Sequence, residues 1–363
     1  MNVPFLDLHA GYVELKPQID EAIARTLDSG YYIGGSEVEQ FEAEFAAFVE
    51  ARHCVAVGNG LDALTLALRS TGIGPGDEVI VPSHTFIATW LAVSALGAKI
   101  VPVEPNTESM NMDPERLETA ITDRTRAIVP VHLYGQPAPI EAILEIARRH
   151  NVPVVEDAAQ AHGATSLARK IGSHGRAVTW SFYPGKNLGA FGDGGAITTN
   201  DGQLAEELRQ RRNYGSRKKY EHEIQGVNSR LDPIQASTLR VKLTHLNEWN
   251  NRRANIAKRY LSDLSGLSLK LPEVSSACEP VWHLFVVRHE DRDGFARRLQ
   301  ALGIQTLTHY PTPCHQQGAY SADDLPAFNL AEQLSREVLS LPIGPHMTDP
   351  EVDAVVDSVR KAA

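Results

Sequence analysis

Val154-Val155-Glu156-Asp157-Ala158-Ala159-Gln160-Ala161-His162-Gly163 decides how this chain reads, because a hydrophobic strand runs straight into two carboxylates. Burying a carboxylate is costly unless it has a partner. A protonated pyridine nitrogen is one such partner; a helix N-cap or a structural salt bridge is another. Ligands of open α/β sheets sit at the carboxyl ends of the strands, so this strand end is a first candidate site.

Short β-branched runs surround it, at His53–Val57, Glu78–Pro82, Lys99–Val103, Ala127–Leu133, Val152–Asp157, Val178–Tyr183 and Gly195–Asn200. The first five alternate with helix-length stretches opening near Asp62, His84, Asp113 and Pro139, and Asp113-Pro114 supplies an N-cap followed by a first-turn proline. This alternation predicts an α/β fold whose mainly parallel sheet is covered by helices on both faces. From Asp232-Pro233 onward a long helical stretch carries Leu239, Leu243, Leu246 and Trp249 on one stripe. A strand at Trp282–Arg288, a helix around Phe295–Leu302, a stop at Gly303 and a strand from Ile304 follow. The expected division is a large domain over residues 1–235 and a smaller α+β domain over 236–363, with the first ~30 residues packing on the smaller one.

With 363 residues, 42% of them apolar and 22% charged, the chain can bury a sizeable core and should fold throughout. A formal charge of −10 argues against nonspecific nucleic-acid binding, which needs basic surface to displace counterions. Cys54, Cys278 and Cys314 lie far apart and are odd in number, so neither a disulfide framework nor a metal site is expected, and a reducing, cytoplasmic compartment is. Met1 to His9 lack a basic stretch followed by an apolar run, and no segment reaches the ~18 apolar residues of a membrane span.

Three other places carry chemistry. Trp180-Ser181-Phe182-Tyr183-Pro184-Gly185-Lys186-Asn187-Leu188-Gly189, followed by Gly192, Gly194 and Gly195, sets a lysine beside an apolar strand and among glycines. That setting suits a partly desolvated amine of lowered pKa able to attack a carbonyl, although a lone lysine is more often a solvated charge. Gly58-Asn59-Gly60-Leu61-Asp62 is a glycine loop between strand and helix that can offer backbone amides to a phosphate, or merely turn the chain. Ser83-His84-Thr85-Phe86 sets an aromatic at a strand end, where it can stack on a flat ring or pack in the core.

In this order the glycine loop, aromatic, Asp157 and Lys186 resemble the fold-type I pyridoxal 5'-phosphate (PLP) enzymes, and more narrowly the DegT/DnrJ/EryC1/StrS sugar aminotransferases. Ser29–Gly35, His132-Leu133-Tyr134-Gly135 and Gly226–Asp232 extend the resemblance over almost the whole chain. It implies a large domain with a mostly parallel seven-stranded sheet plus a small α+β domain. It also implies that Lys186 carries the cofactor as a Schiff base and moves protons at the reacting carbon, while Asp157 keeps the ring nitrogen protonated. Gln160 would contact the ring hydroxyl and Phe86 the ring face. Ser181 with the Gly60 and Leu61 amides would hold the phosphate, joined by Asn228 from the partner subunit of a homodimer with shared sites. Many members carry a hydroxyl residue where this chain has Leu61, which shifts the load onto backbone amides and Ser181. Related dehydratases hold histidine at the position of Lys186, so transamination is favoured.

Gly58–Leu64 and Thr308-His309-Tyr310-Pro311 look closest to the branch acting on dTDP-linked 3-keto-6-deoxyhexoses. Glutamate is that family's usual donor, with pyridoxamine 5'-phosphate as the half-reaction form. Tyr183, Tyr220, His309 and Tyr310 are substrate-binding candidates, since tyrosine and histidine can hydrogen-bond sugar or phosphate oxygens. The basic run Arg209–Arg212 and Arg217-Lys218-Lys219 reads as a solvated face, or in part as a diphosphate contact. The alternatives are a C4 aminotransferase on a UDP- or GDP-linked 4-keto sugar and, in another class, a noncatalytic PLP-binding regulator.

Overall fold

In the computed structural model, which describes every residue from Met1 to Ala363 except Asp324, seven strands form the central sheet. They are β1 (His53–Val57), β2 (Glu78–Pro82), β3 (Lys99–Val103), β4 (Thr125–Ile128), β5 (Val155–Asp157), β6 (Ala177–Ser181) and β7 (Gly195–Thr199). Their spatial order is β3-β2-β4-β5-β6-β7-β1. The β4–β5 seam is made only by the parallel bridges Ile128–Val154 and Val131–Asp157. Every neighbouring pair is parallel except the two that involve β7. The three strands expected at Ala127–Leu133, Val152–Asp157 and Val178–Tyr183 are shorter: the first and third end early, at Ile128 and Ser181, where the chain turns into site loops, and the second starts late, at Val155, because Val154 makes an isolated bridge to Ile128.

Local signals set the helices between strands. Asn59 caps Gly60–Arg69 by accepting from the Asp62 amide at 2.8 Å, and Asp113 caps Pro114–Leu117 through the Glu115 amide at 3.0 Å. One apolar cluster under the sheet is built on Phe41, Phe45, Trp180 and Phe182: Phe41 and Phe45 are stacked, and both meet Phe182 edge to face, as Phe45 meets Trp180.

The stretch after Asp232 is two helices, Pro233–Leu243 and Leu246–Asp263, broken at Thr244-His245. Its stripe splits accordingly. Leu239, Leu243 and Leu246 enter the sheet's core, whereas Trp249 packs with Leu15 and Ile19. Ile256, Ala257 and Tyr260 of the second helix join another cluster with Phe285, Phe295, Leu339 and Val355. The apolar cores therefore change hands within the second helix, later in the chain than the division expected at residue 235.

That second cluster surrounds the antiparallel pair β8 (Phe285–Arg288) and β9 (Val338–Leu341). Ile304 makes only an isolated bridge, to Val3, in place of the expected strand. Val3 is thus tied to the smaller core, while the helix Lys16–Ser29 lies on Pro233–Leu243, so the N-terminal residues span both units. Among the described residues no helix is long and apolar enough to cross a membrane.

Candidate active site

The two carboxylates that end β5 have different surroundings. Glu156 is fully buried and satisfied: His132 Nε2 donates to it at 3.0 Å and the Gly175 amide at 2.5 Å. His132 Nδ1 accepts from the Ala138 amide, so the imidazole is the Nε2–H tautomer. Asp157 is 6% exposed, and among the described residues its carboxylate receives only Thr89 Oγ1 at 3.0 Å and the Ala159 amide at 3.1 Å, leaving acceptor capacity unused. Burial raises its pKa above the usual carboxylate value, opposed by those two bonds and by the nearby charge of Lys186.

Lys186 follows β6 and closes a tight turn through Pro184-Gly185. Its amide donates to Tyr183 O at 2.8 Å, and Ala190 N returns to Phe182 O at 2.8 Å. Among the described residues no side chain hydrogen-bonds its Nζ, and burial lowers its pKa to about 8 despite the attraction of Asp157. At neutral pH a usable fraction of this amine is unprotonated and nucleophilic.

Across β6 lies the N-terminus of the helix Gly60–Arg69. The amides of Gly60 and Leu61 have no partner among the described residues, whereas the next two donate to Asn59. A Cβ at Gly60 would stand 2.7 Å from Ser181 Cβ, so only glycine lets these amides come so close to the Ser181 side chain. Gly58 N donates to Ser229 Oγ at 2.9 Å, and Ser229 in turn donates to Asp62 at 2.6 Å, which braces the loop.

A polar wall closes the other side. Gln160 accepts from the Tyr134 amide at 2.7 Å and donates to Tyr310 Oη at 3.1 Å. The Tyr310 ring faces Phe86 at 5.4 Å between centroids, and Phe86 itself is half exposed. His309 holds Ser340 Oγ at 2.9 Å, and burial pushes its pKa down to about 4. Tyr134 Oη accepts from His84 Nε2 at 2.9 Å and donates to His309 O.

The fold thus brings Asp157, Gln160, Lys186, Ser181, Gly60, Leu61, Phe86, His309 and Tyr310 to the carboxyl end of the sheet. Tyr183 is beside them and 59% exposed. Tyr220 is not brought in: it is 83% exposed in the short hairpin after Ser216, with Lys219 against its ring. Asn228 is exposed and its side chain bonds to no described residue. Sequence reasoning missed Thr89, His84 and Asn187. Thr89 carried a readable signal, since it lies one helical turn beyond the aromatic motif and on the face of Thr85, which it contacts at 3.1 Å.

A buried proton-seeking carboxylate, a desolvated amine, two free amides beside a hydroxyl and an exposed aromatic face suit a flat phosphorylated heterocycle bearing a carbonyl. Residues 13–360 match the DegT/DnrJ/EryC1/StrS aminotransferase family. The chain is 58% identical to a dTDP-3-amino-3,4,6-trideoxy-alpha-D-glucose transaminase of Streptomyces venezuelae, over 100% of this chain and 96% of the relative. It is 52% identical to a dTDP-3-amino-3,6-dideoxy-alpha-D-galactopyranose transaminase of Aneurinibacillus thermoaerophilus, over 99% of each. The crystal structure of S. venezuelae DesV in complex with ketimine intermediate superposes with a TM-score of 0.98 at 57% identity, over 99% of this chain and 98% of that one.

Proposed function

The chain belongs to the DegT/DnrJ/EryC1/StrS aminotransferase family and is a PLP-dependent enzyme acting on a nucleotide sugar, and from that premise we propose that it moves an amino group from L-glutamate to C3 of a dTDP-linked 3-keto-6-deoxyhexose. The observation that carries this reading is the opposition of Asp157 and Lys186, a carboxylate whose proton affinity is raised and an amine whose proton affinity is lowered. When bound, the cofactor supplies an exchangeable carbonyl and a ring that draws electrons from the reacting carbon.

Asp157, pre-set by Thr89 and the Ala159 amide, would hold a proton on the ring nitrogen. The Gly60 and Leu61 amides and Ser181 Oγ would bind the phosphate at the positive end of a helix. Gln160 has one amide hydrogen left after serving Tyr310 and would give it to the ring oxygen. Phe86, half exposed, would offer its face to the ring. Lys186 Nζ, when not bonded to the cofactor, would carry the proton between the donor carbon and the exchanging one.

His309, Tyr310 and Tyr183 line the sugar side. The exposed Tyr220 and Asn228 serve the site of the second subunit in a homodimer, which accounts for polar and aromatic side chains left in solvent by a single chain. Three free cysteines suit work in the reducing cytoplasm. The noncatalytic alternative finds no support in a site that keeps both Asp157 and Lys186.

The test is an absorbance spectrum of the purified holoenzyme, followed by L-glutamate and then dTDP-3-keto-6-deoxyglucose and its galacto epimer in separate cuvettes. Loss of the lysine-bound cofactor band with glutamate and its return with one 3-keto sugar is expected. Return only with a UDP- or GDP-4-keto sugar would replace the substrate, and indifference to glutamate would replace the donor.

A further inference from the structure

Beside Lys186, the side chain of Asn187 is 6% exposed and joins three parts of the fold. Its Nδ2 donates to Val281 O and to Asn250 Oδ1, both at 2.9 Å, and its Oδ1 meets His283 Nδ1 at 3.2 Å. The polarity of every bond is forced. Val281 O is a backbone acceptor, so the amide nitrogen must face it, and Oδ1 must then accept from a His283 Nδ1–H. Asn250 is fixed in the same way, because its Nδ2 donates to His162 O at 2.8 Å and so turns Oδ1 toward Asn187. His162 closes the strand-end motif that contains Asp157, and a Cβ at Gly163 would stand 3.0 Å from Asn250 Nδ2.

The segment Val281–His283, which leads into β8, is itself pinned. Val281 N donates to Gly135 O at 2.9 Å, and Arg253 Nη1 reaches Trp282 O at 3.2 Å and Ile343 O at 3.0 Å. Opposite Asn187, the same lysine turn is held by Lys242, whose Nζ donates to Gly189 O at 2.6 Å. Only glycine fits at 189, since a Cβ there would lie 2.3 Å from Pro184 O. Among the described residues, Asn187 makes the only side-chain hydrogen bonds between the turn Tyr183–Gly189 and the segment leading into β8.

Resting on the PLP reading above, we propose that Asn187 is a positioning residue for Lys186, an amide clasp that ties the lysine turn to His283 and Val281 so that Nζ keeps its place when it is released from the cofactor. The clasp also holds His283 as the Nδ1–H tautomer. Burial and the charges of Lys186 and Arg253 keep that imidazole neutral, its pKa well below the ordinary histidine value. A catalytic base displaced by about 1 Å loses on the order of 100-fold in rate, so the clasp is worth a measurable factor.

The experiment compares wild-type holoenzyme with Asn187→Ala and His283→Gln. Each is read by thermal unfolding, by kcat and KM for glutamate, and by a pH titration of the lysine-bound cofactor band in the resting enzyme. Expected for Asn187→Ala is a kcat lower by roughly 10- to 100-fold with KM changed less than about threefold. The midpoint of the spectral titration should move by half a unit or more, and His283→Gln should move it in the same direction by less. Folded variants with the wild-type titration and kcat overturn the proposal, as does a lowered unfolding midpoint alone. Should Asn187→Ala not fold, an unchanged titration in His283→Gln overturns it by itself. Wild-type enzyme that ignores glutamate would refute the aminotransferase reading instead, so the two failures are distinguishable.

Discussion

Replacing Gly60 by alanine should uncouple phosphate binding from folding. An ideal Cβ there would stand 2.7 Å from Ser181 Cβ and 3.3 Å from both Ser181 Cα and Oγ. Carbon atoms in contact prefer about 3.5–4.0 Å, so the added methyl is roughly 1 Å too close. No rotamer of Ser181 relieves this, because the colliding atom is its Cβ and its backbone is paired with Gly195 across β6 and β7. The helix terminus must back away, carrying the Gly60 and Leu61 amides with it. Such overpacking costs about 1–3 kcal/mol, or about 5- to 150-fold in affinity for the phosphate if the strain falls there. The backbone at Gly60 is not left-handed, and alanine favours a helix over glycine by up to ~1 kcal/mol, so the apoprotein should melt near the wild-type temperature. Titrating apoprotein with pyridoxamine 5'-phosphate, which cannot bond to Lys186, isolates the phosphate contact. Binding within twofold of wild type would refute the assignment of this helix terminus as the phosphate site.

Covalent capture of PLP by the apoprotein should speed up about tenfold per pH unit below 8 and level off above it, since the neutral Lys186 amine is the reactive form and its pKa is lowered to about 8; stopped-flow absorbance reads this, and a rate still climbing past pH 10 would mean a solvated lysine. Lys186→Ala should abolish turnover while still binding the cofactor noncovalently, seen as cofactor retained on gel filtration with no glutamate-driven spectral change. Thr89→Val removes the side-chain donor to Asp157 Oδ2, and a bond to a charged group of about 1.5–3 kcal/mol implies a 10- to 150-fold slower glutamate half-reaction by single-turnover absorbance. Because Asn228 is proposed to act across the dimer, mixing inactive Lys186→Ala chains with Asn228→Ala chains should restore about a quarter of the sites to wild-type rate through hybrid dimers; activity no greater than that of Asn228→Ala alone would place Asn228 in its own subunit's site.

The sheet was legible because its signals are local. β1, β2 and β3 match their apolar runs residue for residue, since each run is bounded by turn-forming or charged residues. The break at Thr244-His245 was not, for the leucine spacing continues through it and only tertiary contact decides that Leu246 faces the sheet while Trp249 faces the N-terminal helices. Asp157 and Lys186 stood out because carboxylates and lysines are anomalous beside apolar strands. Thr89 and Asn187 are ordinary polar residues in ordinary contexts, and their importance lies in partners up to 96 residues away in sequence.

The same distinction explains why Glu156 and Asp157, adjacent and chemically alike, separate in role. A strand alternates its side chains, so one carboxylate must face each side of the sheet. Glu156 meets a neutral histidine and a backbone amide that complete its hydrogen bonding. Asp157 meets one hydroxyl and one amide, and its pKa goes up where a paired aspartate's would go down. Lys186 likewise goes down where a paired lysine would go up. The two attract each other but form no ion pair among the described residues, so burial prevails at each end, and a heterocycle offering Asp157 a ring proton and Lys186 a carbonyl would satisfy both at once.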